Sequence, residues 1–488
     1  MTMEIEKLQG LNFEIEVDMD CNAKQIQNDM EIEDGLNVEK KCLNNALDFD
    51  IKVGAENIAK SHDNISDKNS SDKNSKVINE ERNLIEESQS NTDDNFVRGN
   101  DVYELSDILD LDILKFEPTS ENFSLFEIGR AVWKSDSCCQ RYLRGCLWSP
   151  DGTCVLTAIN GEGMQVFELP SDLYQTNVVS KSERELNDLA PAVIVPESGT
   201  VYDYNWFPQM NSNDPSTCCW IASRQHEPIH MWDAFTGELR GTYRGYDQFD
   251  EVETSISCIF SPTGEYIIGG YKKSLKVFQT SIPGRDYIEI KSKNAVSALS
   301  MHYNHPDMIV SGSWNSTINI YDIRATNLGC LTTIPGHSGG VTLLKVDSSG
   351  QRLFSGARKD KLILQWDLRN FKSPVQKYFR QVETNQRIYF DISVCGKYLL
   401  TGGTDGMIRA WDITSDITSE YQFNLHYDCC NSVGFSTIRP VICTTSGQYK
   451  FTQESTEVGI DSTNLKENEI EVKYENSLVV WWYGHYKN

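Results

Sequence analysis

An aromatic residue returns at a nearly constant interval through the second half of the sequence. It lies in short apolar phrases such as IHMWDA, INIYDI and IRAWDI, separated by turn-forming residues, which is a β-strand pattern. The aromatic residues Trp232, Phe278, Tyr321, Trp366 and Trp411 are spaced by 46, 43, 45 and 45 residues. Units of about 40–45 residues with four strands each are typical of β-propeller blades. The interval therefore predicts a ring of repeated blades.

Tight turns occur at corresponding places in these units. WSPDG (148–152), SPTG (261–264) and DSSG (347–350) follow one strand of a unit, and TGGTDG (401–406) follows the next strand. Pro, Asp and Gly favour the backbone angles that such turns require. Strand, turn and strand thus alternate throughout, with few stretches long enough for a helix.

Two longer intervals indicate insertions. The first unit places its aromatic at Phe167, 65 residues before Trp232, so we expect an insertion near residues 170–200. The last unit closes with SLVVWWY and contains an acidic insertion near residues 450–475. Seven units make a closed ring, which we expect residues 122–129 to seal by pairing with the last blade, because closure removes exposed strand edges.

The N-terminal segment has a different composition. Residues 1–110 hold 27 acidic and 11 basic residues, and the pentapeptide SDKNS occurs twice in tandem at 66–75. Such a segment buries too little apolar surface to offset the entropy of ordering. We predict a disordered acidic tail over residues 1–115 and an all-β, seven-bladed WD-repeat propeller over residues 120–485. A solvated spacer is our interpretation of the tail, and a regulated docking segment is the alternative.

The formal charge of −26 excludes nonspecific binding of polyanions over the whole surface, because the overall field repels phosphate. Any nucleic-acid site must be a local basic patch. The 14 cysteines include no CxxC pair, which favours reduced thiols in a cytosolic or nuclear protein over a zinc site or a disulfide framework. We expect no signal peptide, no membrane span, no metal and no cofactor.

An acidic residue precedes the repeat tryptophan by six positions in two units. In WD repeats such an acid bonds a histidine from the preceding loop, and a Ser or Thr and the Trp complete the network. The fifth unit has the full set, which is His337, Ser355, Asp360 and Trp366. The sixth unit lacks the histidine and keeps Thr401, Asp405 and Trp411. We interpret these residues as a structural network that resembles a catalytic triad only in composition.

Motifs of common enzymes are not found. The sequence has no Walker loop, HExxH, GxSxG or protein-kinase set. We therefore predict that the chain is not an enzyme. A hydrolase that used Ser355 and His337 is the alternative, and we expect that pair to be buried and inert.

A propeller places its second-to-third-strand turns and its inter-blade loops on one rim. The predicted turns carry Arg224, Lys272, Lys273, Arg358, Lys359 and Lys361, and the predicted inter-blade loops carry Arg244, Arg285 and Arg387. Trp314 lies at the tip of SGSWNS, with Tyr271 nearby. Exposed aromatic rings and cations together suit single-stranded or looped RNA. The alternatives are ordinary solubility residues at turn tips and a rim that binds peptides.

Several phrases go beyond the generic repeat. They are PIHMWDAFTGELRGTYRGYDQFDE (228–251), SGARKDKLILQWDLR (355–369), TNQRIYFD (384–391) and ESGTVYDYNWFP (197–208). These phrases resemble the telomerase Cajal body protein family, also called WD repeat-containing protein antisense to p53. The resemblance covers about residues 120–485, and the tail matches only in character.

This resemblance implies an RNA-binding scaffold. Family members recognise the CAB box in terminal loops of small Cajal body RNAs, and of telomerase RNA where that RNA carries the box. They bring the particle, loaded with H/ACA ribonucleoprotein proteins such as dyskerin, to Cajal bodies in the nucleus, and some of the protein is cytoplasmic. Coilin and the survival-motor-neuron protein are implied partners, and the cytosolic chaperonin assists folding. A protein-only WD-repeat scaffold or adaptor is the alternative.

Overall fold

A computed structural model describes residues 114–119, 123–135, 139–174, 176, 178–180, 186–196, 199–415, 419–450 and 475–487. All but the last two residues of the predicted tail at 1–115 lie outside this part. The interior of the acidic insertion near 450–475 lies outside it too. The insertion near 170–200 is partly described.

The described residues form short β-strands, numbered here in chain order. Those up to the second blade are β1 (Phe126–Val132), β2 (Leu143–Trp148), β3 (Cys154–Ile159), β4 (Gly163–Glu168), β5 (Val178–Ser180), β6 (Asn187–Asp188), β7 (Val193–Val195), β8 (Val201–Trp206), β9 (Cys219–Arg224), β10 (Ile229–Asp233) and β11 (Leu239–Tyr243). The next are β12 (Gly245–Tyr246), β13 (Val252–Glu253), β14 (Ser257–Phe260), β15 (Tyr266–Gly270), β16 (Ser274–Gln279), β17 (Tyr287–Lys291), β18 (Val296–His302), β19 (His305–Ser313), β20 (Thr317–Asp322) and β21 (Thr332–Pro335).

The last strands are β22 (Val341–Val346), β23 (Arg352–Ala357), β24 (Leu362–Asp367), β25 (Gln376–Phe379), β26 (Phe390–Ile392), β27 (Tyr398–Thr401), β28 (Met407–Asp412), β29 (Glu420–Asn424), β30 (Cys430–Phe435), β31 (Val441–Ser446), β32 (Ser477–Trp482) and β33 (His485–Lys487). Short 3-10 helices occupy Ser171–Leu173, Pro215–Thr217 and Ile323–Leu328. No helix in the described part of the chain is long and apolar enough to cross a membrane.

These strands form a seven-bladed propeller, which confirms the predicted fold. Blade 1 contains β2, β3, β4 and β7, blades 2 to 6 are β8–β11, β14–β17, β18–β21, β22–β25 and β26–β29, and blade 7 contains β30, β31, β32 and β1. The first strands of neighbouring blades adjoin one another around the central channel. We call the rim with the second-to-third-strand turns and the inter-blade loops the upper rim. The lower rim carries the other turns.

Local sequence accounts for the strands and the lower turns. All six residues of β3, CVLTAI, are buried, as expected for an apolar strand covered on both faces. Gly152 and Gly350 end the first-to-second-strand turns of blades 1 and 5 with positive φ angles of 65° and 71°, which glycine adopts without strain. The apolar faces of adjacent blades then pack together into the core.

The ring closes through the early strand β1, as predicted, although β1 covers residues 126–132 rather than 122–129. It pairs antiparallel with β32 from Phe126↔Trp482 to Val132↔Ser477. The insertion in blade 1 reinforces this closure. Its strand β6 pairs with β1 and its strand β5 pairs with the C-terminal strand β33, both in parallel. Buried apolar residues of β1, β5 and β32 pack together beneath it.

Candidate nucleic-acid interface

The four network residues of blade 5 are joined by hydrogen bonds. His337 Nδ1 lies 3.0 Å from Asp360 Oδ2, and His337 Nε2 lies 2.7 Å from Ser355 Oγ. Trp366 Nε1 donates to the same Ser355 Oγ at 2.9 Å. The side chains of His337 and Ser355 are buried. The arrangement therefore ties the inter-blade loop to β23 and β24 inside the blade.

Asp360 is held ionised in this network. Burial alone would raise the pKa of its carboxyl group, but hydrogen bonds from His337, the Ser338 amide and the Leu362 amide outweigh burial and lower the pKa well below its usual value. The carboxylate is thus fully used as an internal hydrogen-bond acceptor. It therefore stabilises the basic turn at residues 358–361, and its negative charge is not exposed on the surface of that turn.

Blade 6 does not form the predicted network. Asp405 pairs with Arg409 at 2.6 Å, and Thr401 Oγ1 donates to the carbonyl oxygen of Gly402. Trp411 packs against Tyr378, with ring centroids 5.6 Å apart. Among the described residues of blade 6, no hydrogen bond joins the side chains of Thr401, Asp405 and Trp411. Blade 6 has no histidine that corresponds to His337, and Asp405 binds Arg409 instead.

Blade 7 contains a second network that the sequence analysis missed. His426 Nδ1 lies 2.7 Å from Glu475 Oε1, and its Nε2 lies 2.8 Å from Thr444 Oγ1. Trp481 Nε1 donates to Thr444 Oγ1 at 2.8 Å. Glu475 precedes Trp481 by six residues, the interval of Asp360 to Trp366. That interval could have revealed the network, but Glu replaces Asp and the insertion separates Thr444 from Glu475.

Most of the predicted rim cations lie on the upper rim. Those at its second-to-third-strand turns are Arg224, Lys272, Lys273, Arg358, Lys359 and Lys361, and Arg244 lies in the loop between blades 2 and 3. Arg244 and the lysines are exposed, whereas Arg358 is partly exposed. Arg224 is partly buried and pairs with Glu227 at 3.6 Å. The exposed cations are therefore concentrated on blades 3 to 5.

Trp314 and Arg358 form a stacked pair between blades 4 and 5. The guanidinium of Arg358 lies 5.2 Å from the centroid of the Trp314 ring, and 48% of Trp314 is exposed. This is a cation–π contact at a ring that is about half exposed to solvent. Two glycines permit it, since a Cβ atom on Gly339 would lie 2.1 Å from the Arg358 carbonyl oxygen and one on Gly340 would lie 2.9 Å from that of Trp314.

The cations around this pair form a continuous strip that we call the basic ribbon. Its members are Lys272, Lys273, Lys293, Arg358 and Lys359, with Trp314 at the centre. Backbone hydrogen bonds join its turns to the loops between them, from Ser292 N to Lys273 O, from Trp314 N to Ala295 O and from Arg358 N to Gly340 O. Lys293 was not among the predicted rim cations, because the inter-blade loop that carries it has no turn signature.

Three acids next to the basic ribbon have hydrogen-bond or ion-pair partners. Glu253 forms an ion pair with the buried Lys276, and Asp360 belongs to the blade 5 network. Glu383 lies 3.6 Å from Lys361 at the edge of the ribbon. The Glu253 charge is paired with Lys276 and the Asp360 carboxylate is buried, which reduces the negative charge exposed beside the ribbon.

Arg387 does not face solvent on the upper rim. Its side chain enters the central channel, where Nη1 donates to Asp203 Oδ1 at 2.6 Å and Nη2 donates to the Ser297 carbonyl oxygen at 3.3 Å. Burial would lower the pKa of Arg387, but the ion pair with Asp203 raises it. The structure therefore corrects the placement of Arg387, which links a loop to the first strands of blades 2 and 4.

Arg285 is also placed differently from the prediction. It lies in the third-to-fourth-strand connection of blade 3, not in an inter-blade loop. That connection folds against blade 2, with Arg244 N donating to Gly284 O at 2.7 Å. The guanidinium of Arg285 stacks on Tyr246 at 4.3 Å and pairs with Asp250 at 2.7 Å. Its charge is therefore engaged with the hairpin of β12 and β13.

Tyr271 is buried rather than exposed beside Trp314. Its ring lies within the core of blades 2 and 3, and the ammonium group of Lys276 lies 4.0 Å from the ring centroid. Burial raises the pKa of the Tyr271 hydroxyl well above its usual value. Tyr271 directly follows β15, and its side chain packs into the core as the buried side chains of that strand do. The prediction of an exposed ring was therefore wrong.

Comparison with known proteins gives evidence about the family of this chain that does not depend on the geometry of the rim. The profile of the family described as WD domain, G-beta repeat matches residues 288–322, 328–367 and 386–412. The Telomerase Cajal body protein 1 homolog of Drosophila melanogaster is 45% identical over 377 residues, which cover 74% of this chain and 69% of that protein.

Two further relatives extend the comparison. Telomerase Cajal body protein 1 of Homo sapiens is 34% identical over 387 residues, which cover 75% of this chain and 69% of the human protein. The Guanine nucleotide-binding protein negative regulator 1 of Schizosaccharomyces pombe is 27% identical over 356 residues, covering 68% of this chain and 86% of that protein. The aligned parts are long enough to include several blades.

Proposed function

The chain belongs to the telomerase Cajal body protein family of WD-repeat propellers, and from that premise we propose that it is an RNA-binding scaffold. Its ligand is the CAB-box loop of small Cajal body RNAs, and of telomerase RNA where that RNA carries the box. It directs the H/ACA ribonucleoprotein to Cajal bodies in the nucleus. The mechanism is binding and delivery without catalytic turnover.

The basic ribbon is the observation that carries this proposal. Phosphates of a looped RNA lie along the exposed lysines, and an unpaired base stacks on the open face of Trp314 next to Arg358. Because the protein as a whole is acidic, RNA is held only where the local charge is positive. A terminal loop suits this strip better than a long duplex, whose remaining phosphates would meet negative surface.

The partners of the assembled particle follow from the same proposal. The RNA arrives with H/ACA proteins such as dyskerin, and coilin and the survival-motor-neuron protein connect the complex to the Cajal body. The chaperonin assists the folding of the ring, and some of the protein is cytoplasmic. The names of the Drosophila and human relatives, which include telomerase and the Cajal body, support the association with telomerase and the Cajal body.

Reversal of charge in the ribbon tests the proposal. We expect the double variant Arg358→Glu and Lys359→Glu to lose binding of a synthetic RNA hairpin with a CAB-box loop, measured by fluorescence anisotropy. If each of the five ribbon cations meets one phosphate, log Kd of the wild type varies with log salt with a slope of up to about 3.5, at ~0.7 per contact in a single strand.

A matched control lies at the lower rim of the same blade. Arg369 and Lys372 are exposed there, so Arg369→Glu with Lys372→Glu changes the net charge by the same amount. This control should keep hairpin binding, because its charges lie away from the ribbon. Equal loss of binding in both folded double variants, or intact binding in the ribbon variant, contradicts the proposed site. Co-purified partners that survive ribonuclease treatment would favour a protein-only scaffold.

A further inference from the structure

A second group of aromatic rings lies on the upper rim, across the channel mouth from the basic ribbon. Tyr427, in the loop between blades 6 and 7, is 85% exposed, and Tyr449, after β31 of blade 7, is 51% exposed. Tyr142, just before β2 of blade 1, is buried and meets the Tyr449 ring edge-on at 6.2 Å. We call Tyr142, Tyr427 and Tyr449 the tyrosine patch.

A cation is fixed at the edge of this patch. The guanidinium of Arg144 lies 5.6 Å from the centroid of the Tyr142 ring, and its Nη2 donates to the Tyr142 hydroxyl at 3.0 Å. Nη1 donates to the carbonyl oxygen of Val201 at 2.8 Å, which anchors the side chain to blade 2. The patch thus combines tyrosine rings with a partly exposed arginine, as base-stacking surfaces do.

Among the described residues, two acids beside the patch have partners. Glu475 accepts hydrogen bonds from His426 and from the amide of Tyr427, and Asp428 pairs with Lys450 at 2.7 Å. The carboxylates of Glu475 and Asp428 are thus held by neighbouring groups of the protein. The patch has few of the unpaired cations that would hold phosphate, so its contribution to RNA binding comes from the rings.

We propose that the tyrosine patch is a second subsite, which stacks unpaired nucleobases of the same RNA whose phosphates lie on the basic ribbon. This inference rests on the proposed function. The RNA loop spans the channel mouth, with its backbone on blades 3 to 5 and its splayed bases on blades 7 and 1. Stacking is tolerant of base identity, whereas the ribbon sets the position of the backbone.

Substitution of the exposed tyrosines tests this subsite in the full chain. We expect Tyr427→Ala and Tyr449→Ala each to weaken binding of the CAB-box hairpin about fivefold to a hundredfold, as removal of one stacking ring does. The slope of affinity against salt stays at the wild-type value, because no phosphate contact is lost. Tyr427→Phe and Tyr449→Phe keep the rings and should restore affinity.

The lower rim supplies the control, since Tyr303 is exposed there and Tyr303→Ala should leave affinity unchanged. Unchanged hairpin affinity in both alanine variants, with binding lost in the ribbon double variant, overturns the second subsite but keeps the proposed function. If the wild-type chain does not bind the hairpin, the proposed function fails and the subsite fails with it.

Discussion

Blades 5 and 7 contain hydrogen-bond networks of the same type, each formed by a histidine, an acid, a hydroxyl residue and a tryptophan. Blade 5 uses Asp360 and blade 7 uses Glu475, and each carboxylate accepts a histidine hydrogen bond and a backbone amide hydrogen bond. Burial alone would raise the pKa of Glu475, but these hydrogen bonds and the nearby His426 lower it from 4.5 to about 2. The ionised form of Glu475 is therefore part of the folded state.

This shift predicts how stability depends on pH. A carboxyl group whose pKa is lower in the folded protein stabilises the fold above its unfolded pKa, and that contribution is lost as the pH falls through the folded value. We expect Glu475→Gln to lower the free energy of unfolding by roughly 2–3 kcal/mol at pH 7, with the difference from wild type disappearing between about pH 4.5 and pH 2.

Urea unfolding of both proteins at pH 7, 4 and 2.5 measures this difference. Glu162→Gln is the control, because its ion pair with Arg141 is partly exposed and contributes less than about 1 kcal/mol. A difference between Glu475→Gln and wild type that stays constant down to pH 2.5 would show that the carboxylate is not held ionised by the network.

The sequence predicted the network of blade 5 in full because all four residues stand at standard intervals. It could not predict that Asp405 pairs with Arg409. Asp360 and Asp405 both precede a tryptophan by six residues, and this spacing does not show which side chain each acid binds. Arg387 was assigned to solvent for a related reason. Whether an arginine of a loop points outward or across a channel depends on a distant partner, here Asp203, 184 residues away.

At the scale of elements, closure of the ring joins segments from both ends of the propeller. β1 completes blade 7, and the insertion between β4 and β7 adds β5 and β6 outside it. The strand period predicted the blades and the closing segment, because periodicity reports burial on each strand. The long interval between Phe167 and Trp232 located the insertion near residues 170–200, but its two- and three-residue strands have no period of their own and could not be predicted.

The closing strand offers an internal comparison. Ile128 of β1 is fully buried against the last blade, whereas Val132 on the same strand is exposed. We expect Ile128→Ala to lower the free energy of unfolding by about 2–4 kcal/mol, from lost apolar burial and the cavity left behind. Val132→Ala should change it by less than about 0.5 kcal/mol. Equal effects in urea unfolding would contradict the role of β1 in closure.

At the scale of the whole molecule, the proposed RNA binding depends on an uneven distribution of charge over the protein surface. The chain carries a net charge of −26, yet the acids beside the basic ribbon pair with Lys276, Lys361 or His337. The sequence predicted the rim of the cations in the second-to-third-strand turns, because blade topology assigns these turns to one rim, but it placed Arg285 and Arg387 wrongly. It could not predict the tyrosine patch, since Tyr449 lies far from Tyr142 along the chain and meets it only where blades 7 and 1 adjoin.

Crosslinking of a CAB-box hairpin with 4-thiouridine in its loop tests most directly whether the upper rim binds RNA. The crosslinked peptides, identified by mass spectrometry from the full chain, should contain Trp314, the turn at residues 358–361, or Tyr427. Crosslinks confined to the lower rim, at Tyr303 or Val375 for example, in a protein that binds the hairpin tightly would contradict the account.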